Sequence, residues 1–570
     1  MSFSHRFGAA VITALGAASI ASQALAVEVN GSYSGQWWEG PSKNGRGFTI
    51  NFVDRPDAAT QLAAFWFTYE NDGDQQWYVA QGFDSGAGSG EFEVDIFDAE
   101  GGRFDNAHTP TAATDVGDGV FTFTSCNSAT FEYTTPLGSG NIQLSRLANN
   151  GNNVCVVNTP APACPAGTAP GTSDRQCVLS GSYENVDLTL TNNITWVLNG
   201  AVFIGGDNTD PATLRIQAGT RVVGAGASDF LYISRGSKIY ADGLPNNPII
   251  MTGPLEEAPG EWAGVIIAGN APVNGCLEGV TLCEQLDEAF LTPYGGNEPD
   301  ESSGRIRYTQ IRFAGFEVRP NQEANCLTLL GVGRGTQLDH IQCHAGLDDG
   351  VEFFGGTANL KNYVATAISD DNVDWGQGWT GNIQYCLVAQ AADDGDHGIE
   401  ADNNEDNFDS LPRSRPTIAN CTFVGSPAGN EGARLRRGTG ARIFNTVWTG
   451  FGGECLNLDD AATFTLAGTP GALTGQLVIE NSLVFCNTNF DDQGADPYPV
   501  STFFTSQPGN LLADPQLNGF IPAAGSPLRT GGKPVNTDDL GNDFFEPTNY
   551  IGGVANENDL WWEGWTDYLD

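Results

Sequence analysis

The chain has 570 residues, 69 of them acidic and 25 basic, for a net charge of −44. A field of that sign repels nucleic acid and anionic membrane surfaces and suits cations, neutral sugars or a saline medium. Gly is abundant at 73 residues and Met scarce at 2, which favours turn-rich β structure over helix.

Residues 1–26 read as a secretory signal peptide. His5 and Arg6 precede an apolar run from Phe7 to Ile20, and Ala24-Leu25-Ala26 has the pattern of a cleavage site. No later stretch is apolar for long enough to span a bilayer, so no transmembrane segment is expected. A secreted or extracellular destination makes the 12 cysteines candidates for disulfides. Position pairs Cys126 with Cys155, Cys164 with Cys177, and Cys276 with Cys283. None has a CxxC spacing, and with 5 His in the chain a structural zinc site is not expected.

Residues 27–150 alternate in period two, with runs such as Phe65-Trp66-Phe67-Thr68-Tyr69 and Phe92-Glu93-Val94-Asp95-Ile96 separated by Gly, Asp and Asn. This predicts an antiparallel β module, a small barrel or sandwich. Trp37, Trp38, Trp66 and Trp77 either fill its core or offer a stacking platform for sugar rings. The strings Gly35-x-Trp37-Trp38, Gly45-x-Gly47-Phe48, Phe65–Tyr69 and Asp72-Gly73-x-x-Gln76-Trp77 resemble a small module appended to many secreted proteobacterial proteins. That resemblance implies no activity.

A linker rich in Pro, Ala, Gly and Thr covers 151–178. A repeat follows over 179–540, and 541–570 is expected as a tail packing on it. The repeat is clearest in Leu327-Thr328-Leu329, Val351-Glu352-Phe353, Val373-Asp374-Trp375, Ile399-Glu400-Ala401, Ala433-Arg434-Leu435 and Leu456-Asn457-Leu458. Each segment is apolar, variable, apolar, and the middle residues are 24, 22, 26, 34 and 23 positions apart. Period two within a segment means a strand with one buried face. A coil period in the twenties to thirties, with no helical segment between short strands, means an all-β solenoid: a parallel β-helix, right-handed by default. The middle residues then form an outward column, stacked about 4.8 Å apart.

Asn362, Tyr385, Asn420, Asn445 and Asn481 mark a second column, a turn in which left-handed backbone is tolerated and stacked Asn side chains bond one another. Cys386 and Cys421 come next in that register, which predicts a bridge between neighbouring coils.

The column Thr328, Glu352, Asp374, Glu400, Arg434, Asn457 places three carboxylates in succession. Two like charges about 5 Å apart repel by roughly 3 kcal/mol at an effective dielectric near 20. A second acidic column lies in the preceding turns, at Asp348-Asp349-Gly350, Asp370-Asp371-Asn372 and Asp393–Asp396, and ends at His397. Asp and Gly are ordinary turn formers on a solvated edge, but two adjacent acidic columns beside a His and an Arg call for a bound cation, a raised pKa or relief by the neighbouring Arg434.

The strings GEWAGVIIAG from Gly260, LDDGVEFFGGT from Leu347, DDNVDWGQGWTG from Asp370 and WWEGWTDY from Trp561 resemble secreted bacterial β-helix proteins of the pectin-lyase-like class. The resemblance implies fold more than activity. Asp349, then Asp370-Asp371, then His397-Gly398, then Arg434 follow the order of catalytic residues in polygalacturonase-type hydrolases, without that family's Asn-Thr-Asp and lysine. Inversion needs two carboxyls about 6.5–9.5 Å apart, one of them protonated. Alternatively Glu352, Asp374, Asp396, Glu400 and Asp402 supply the oxygen ligands Ca²⁺ takes, either as a structural ion or bridging an acidic sugar in a lyase with Arg434 or Arg436 as base. A third reading is a noncatalytic adhesin. In each case the expected partner is a polysaccharide or cell-surface glycan.

Overall fold

The computed structural model describes residues 29–569 apart from 30, 41–42, 44, 54–59, 71–72, 85–89, 99–112, 150–162, 173–174, 277–279, 281, 288–291, 320–321 and 536–542. The segment read as a signal peptide and the Cys155 end of the Cys126–Cys155 pairing lie outside the described residues. The chain divides into two compact units between Pro160 and Ala161.

The first unit is an eight-stranded antiparallel barrel: β1 (Gly35–Trp38), β2 (Gly47–Val53), β3 (Gln61–Tyr69), β4 (Gln75–Asp84), β5 (Glu91–Asp98), β6 (Thr114–Ser125), β7 (Ser128–Thr135) and β8 (Gly138–Asn149). Each strand pairs with the next, and β1 pairs with β8 to close the sheet. Alternation sets the inside. In β5, Phe92, Val94 and Ile96 are buried while Glu91, Glu93 and Asp95 are exposed. Trp37 and Trp66 belong to this core, with Phe48 stacked on Trp66 at 5.5 Å between centroids. Trp77 instead stands on the outer face, so the four tryptophans expected to act together are divided.

The second unit is a parallel β-helix. Through its middle each coil supplies three strands, as in Leu327–Leu330 followed by Gln337–His344, whose two halves pair separately with the coils on either side. The halves meet at a corner where Tyr308, His340, Asn362, Tyr385, Asn420, Asn445 and Asn481 all hold positive φ, between 45° and 64°. Inward residues pack end to end along the axis. Val351, Phe353, Val373 and Trp375 are at most 1% exposed, and Phe353 stacks on Trp379 at 3.8 Å. Full burial of such a side chain contributes roughly 1.5–3 kcal/mol.

Four features differ from, or add to, the sequence expectation. The corner asparagines do not bond one another. Asn420 Nδ2 donates to the carbonyls of Tyr550 and Gly552, Asn445 Nδ2 to Lys533, and Asn481 Nδ2 to Gly531. The C-terminal segment thus satisfies these three, because it runs back along that corner. Gln310, Gln342 and Gln384 likewise donate to the carbonyls of Trp565, Asp567 and Glu546. Two short helices, Ala461–Ala467 and Val500–Thr505, interrupt the last coils and bury Phe464, Phe503 and Phe504 in the solenoid core. Finally, Cys386–Cys421, Cys164–Cys177 and Cys276–Cys283 are joined as position suggests, and Cys326–Cys343 and Cys455–Cys486 are also joined. The last two pairs close across a coil's cross-section, a proximity that linear spacing conceals.

Candidate functional site

Parallel pairing puts Thr328 opposite Glu352, Glu352 opposite Asp374, Asp374 opposite Glu400, Glu400 opposite Arg434, and Arg434 opposite Asn457. The expected outward column therefore exists in that order. Three residues before each of its first five members lies a turn residue: Asn325, Asp349, Asp371, His397 and Glu431. These are 1%, 5%, 4%, 3% and 7% exposed. Glycine follows Asp349, His397 and Glu431, and lets the coils approach closely there. A Cβ on Gly398 would sit 2.5 Å from the carbonyl oxygen of Gly432.

The turn column is bonded along its length. Asp371 N–H donates to Asp349 Oδ1 at 3.1 Å, and His397 N–H to Asp371 Oδ1 at 2.8 Å. His397 Nδ1 lies 2.7 Å from the same Asp371 oxygen, and Nε2 lies 3.3 Å from Glu431 Oε2. Asn457 Nδ2 donates to Glu431 Oε1 at 2.9 Å. Burial opposes a charge on His397, but its bonds to Asp371 and Glu431 outweigh that and raise its pKa to about 10. Burial would raise Glu431, yet His397 and Asn457 hold it below the usual carboxylate range. The imidazolium is thus clamped between two carboxylates.

Next to this clamp carboxylates crowd one another, and Arg436 reaches Glu400. Burial, then Asp348 and Asp371, pushes Asp349 well above its ordinary value. Burial, then Glu352 and Glu400, does the same to Asp374. Burial and Asp371 raise Glu400 to about 7 against the pull of Arg436. Among the described residues, ligand atoms converge within 4.8 Å in four groups: Asp348, Asp349 and Asp370; Asp349, Glu352 and Asp374; Asp371, Asp374 and Glu400; and Asp371, Asp396 and His397. Asp374 joins the second and third, and its Oδ1 is buried with no hydrogen-bond donor. Thr328 Oγ1 and Asn325 Oδ1 are also buried without a donor, at positions flanking Glu352, to which Asn325 Nδ2 donates at 2.7 Å. Acceptors buried without donors fit a cation. These clusters can hold a metal ion.

Asp349, Asp370, Asp371, His397, Glu352, Asp374, Asp396 and Glu400 are therefore brought together. Arg434 and Asp402 are placed differently. Arg434 Nε donates to Asp459 Oδ2 at 3.0 Å, one coil beyond Glu400. Asp402 accepts from Arg436 Nε at 2.9 Å and from Arg437 Nη1 at 2.6 Å, and it joins none of the four converging groups. Arg436 also donates to Glu400. Glu431 escaped the sequence reading. Its signal was its offset of three before Arg434, the same offset that relates Asp349, Asp371 and His397 to their column.

Coils of parallel strands with a carboxylate ladder on one sheet define an acidic-faced β-solenoid. The chain matches the family model of the pectate-lyase-like β-helix domain over residues 181–506, more than half its length, and belongs to that family. Comparisons with curated proteins and with solved structures give no match.

Proposed function

We propose that this protein engages polysaccharide outside the cytoplasm through its acidic face, with a divalent cation held in the carboxylate ladder. The observation that carries this reading is Asp374, shared by two carboxylate triads with one buried oxygen lacking a donor. An all-oxygen donor set favours a hard cation, calcium before transition metals. Asp349, Glu352 and Asp374 would hold it, with the oxygens of Thr328 and Asn325 alongside. Its chemistry would be to neutralise the crowded carboxylates and to attract an acidic sugar that the bare face repels. The His397 clamp keeps Asp371 and Glu431 fixed, which holds the turns that carry Asp349 and Asp374. The five disulfides among the described residues suit an oxidising compartment, and no helix among them is long and apolar enough to cross a membrane.

A second reading, glycoside hydrolysis, is favoured by Glu400, whose pKa of about 7 matches a general acid at neutral pH. Asp371 and His397, which occupy catalytic positions in that reading, are nearly inaccessible and bonded to each other.

Calorimetric titration of Ca²⁺ into EDTA-stripped protein tests the first reading, alongside retention on polygalacturonate with and without EDTA and an assay for released reducing ends. Saturable binding, weakened about tenfold or more in Asp374→Asn, is expected. Polygalacturonate retention that ignores EDTA, with no saturable Ca²⁺ heat, would sink it. Reducing-end release that persists in EDTA would favour hydrolysis instead.

A further inference from the structure

Large aromatic side chains on the barrel lie outside as well as inside. Phe65, Phe67, Trp77 and Phe83 are 40%, 48%, 45% and 49% exposed. All four lie on two neighbouring strands, β3 and β4, and on one face. Phe67 pairs with Trp77, Phe65 with Val79, Ala63 with Gln81, and Gln61 with Phe83. The Phe65 and Trp77 rings are 6.4 Å apart and inclined at 37°, presenting a shallow platform rather than an edge. From Trp77 to Phe83 the strand advances about 20 Å. An amide, Gln81, stands between the two aromatic ends.

At the Phe83 end the sheet folds into an open groove of about 1010 Å³. Its walls carry Gln61, Gln81, Glu93, Asp95 and Glu132. A cross-strand aromatic pair by itself supports a hairpin, and Phe67 with Trp77 would need no further account. Phe83 has no ring opposite it and borders the groove. Planar carboxylates and amides offer paired acceptors and donors spaced for neighbouring hydroxyls, while exposed rings offer apolar faces. Oligosaccharides present those two features together, hydroxyls at the edge and C–H groups on the ring face. The carboxylates repel an anionic chain.

We propose that the outer face of β3 and β4 is a second sugar-binding surface, which takes a neutral polysaccharide chain along the track from Trp77 to Phe83. It is independent of the acidic ladder, needs no metal, and selects neutral rather than acidic sugar. The barrel then tethers the chain to neutral glycan while the solenoid acts on an acidic one.

Affinity electrophoresis of the full-length protein in EDTA tests this, through gels containing hydroxyethylcellulose, xylan, galactomannan or polygalacturonate. The parent is expected to be retarded by at least one neutral polymer and not by polygalacturonate. Trp77→Ala is expected to bind that polymer about tenfold more weakly, and Phe83→Ala, at the far end of the track, to weaken it as well. Asp374→Asn should keep full neutral retention, which separates this surface from the cation site. Free passage of the parent through all three neutral gels overturns the proposal. So does unchanged retention of Phe83→Ala, a variant that stays informative should Trp77→Ala fail to fold. A parent dimer that Trp77→Ala converts to monomer, with no retardation by any neutral polymer, would assign the face to self-association instead.

Discussion

His397 is the residue on which the turn column depends. Its two nitrogens face Asp371 and Glu431, each almost wholly buried. His397→Ala leaves Asp371 without its cation and Glu431 with Arg434 at 3.8 Å, and is expected to cost about 3–5 kcal/mol, read from urea unfolding of the solenoid. The sign of the pH dependence follows from the same groups. A His whose folded pKa is raised to about 10 contributes fully below its ordinary 6.5 and loses that contribution as pH climbs toward 10. Glu400, raised from 4.5 to about 7, contributes below its ordinary value and loses it as pH rises through 7. Metal-free protein should therefore lose thermal stability as pH rises from about 5 toward 10, while below that range Glu431, held under its ordinary value, acts in the opposite direction. A divalent cation, which binds the deprotonated carboxylates, should flatten the part below about pH 7 and leave the alkaline part. Melting curves in EDTA and in calcium check this, and superimposable slopes would remove the cation from the argument. Asp374→Asn should melt at or above the parent in EDTA, having lost a like charge, and should gain almost nothing from calcium. The outward column was legible because apolar neighbours flank each member. Glu431 and the Arg436–Asp402 pairing were not, because turns of unequal length hide which turn residues share a level.

At the scale of elements, the strands were legible where alternation and coil period agree, and the fate of the corner side chains was not. The corner asparagines announce left-handed backbone, but nothing near them in sequence names the segment, 50 to 132 residues away, whose carbonyls accept their hydrogen bonds. Trp565 anchors that segment. It is 1% exposed, with its indole N–H donating to Trp561. Trp565→Ala should cost about 3–5 kcal/mol and expose the C-terminal segment to limited proteolysis well before the coils are cut. Cleavage at the parent rate would show that the corner hydrogen bonds suffice alone. The Cys386–Cys421 bridge closes a separation of 35 residues between coils in register. Replacing both by Ser should cost about 3–4 kcal/mol by loop entropy, seen as a lower urea midpoint for the solenoid. No change would mean the denatured chain is already held near that geometry.

For the whole molecule, a net charge of −44 works against compactness. Sodium chloride should raise stability gradually by screening. Calcium at equal ionic strength should add a further saturable rise if the ladder is a site, and no more than screening if it is only a charged surface. The β-helix and an antiparallel β module before it follow from periodicity and composition, whereas the closure of that module into a barrel and the exposed rings of β3 and β4 do not, because alternation cannot say whether a sheet closes or which of its faces is apolar for the core and which for a ligand. A simple solenoid behaves as a one-dimensional array, each coil answering only to its neighbours, so it can fray from one end while the rest stands. The returning C-terminal segment abolishes that independence. By bonding Gln310, Gln342, Gln384, Asn420, Asn445 and Asn481 it ties coils that share no contact of their own. The coils from Gln310 to Asn481 become a laced column that has to open together, and the segment that laces them decides when they are secure.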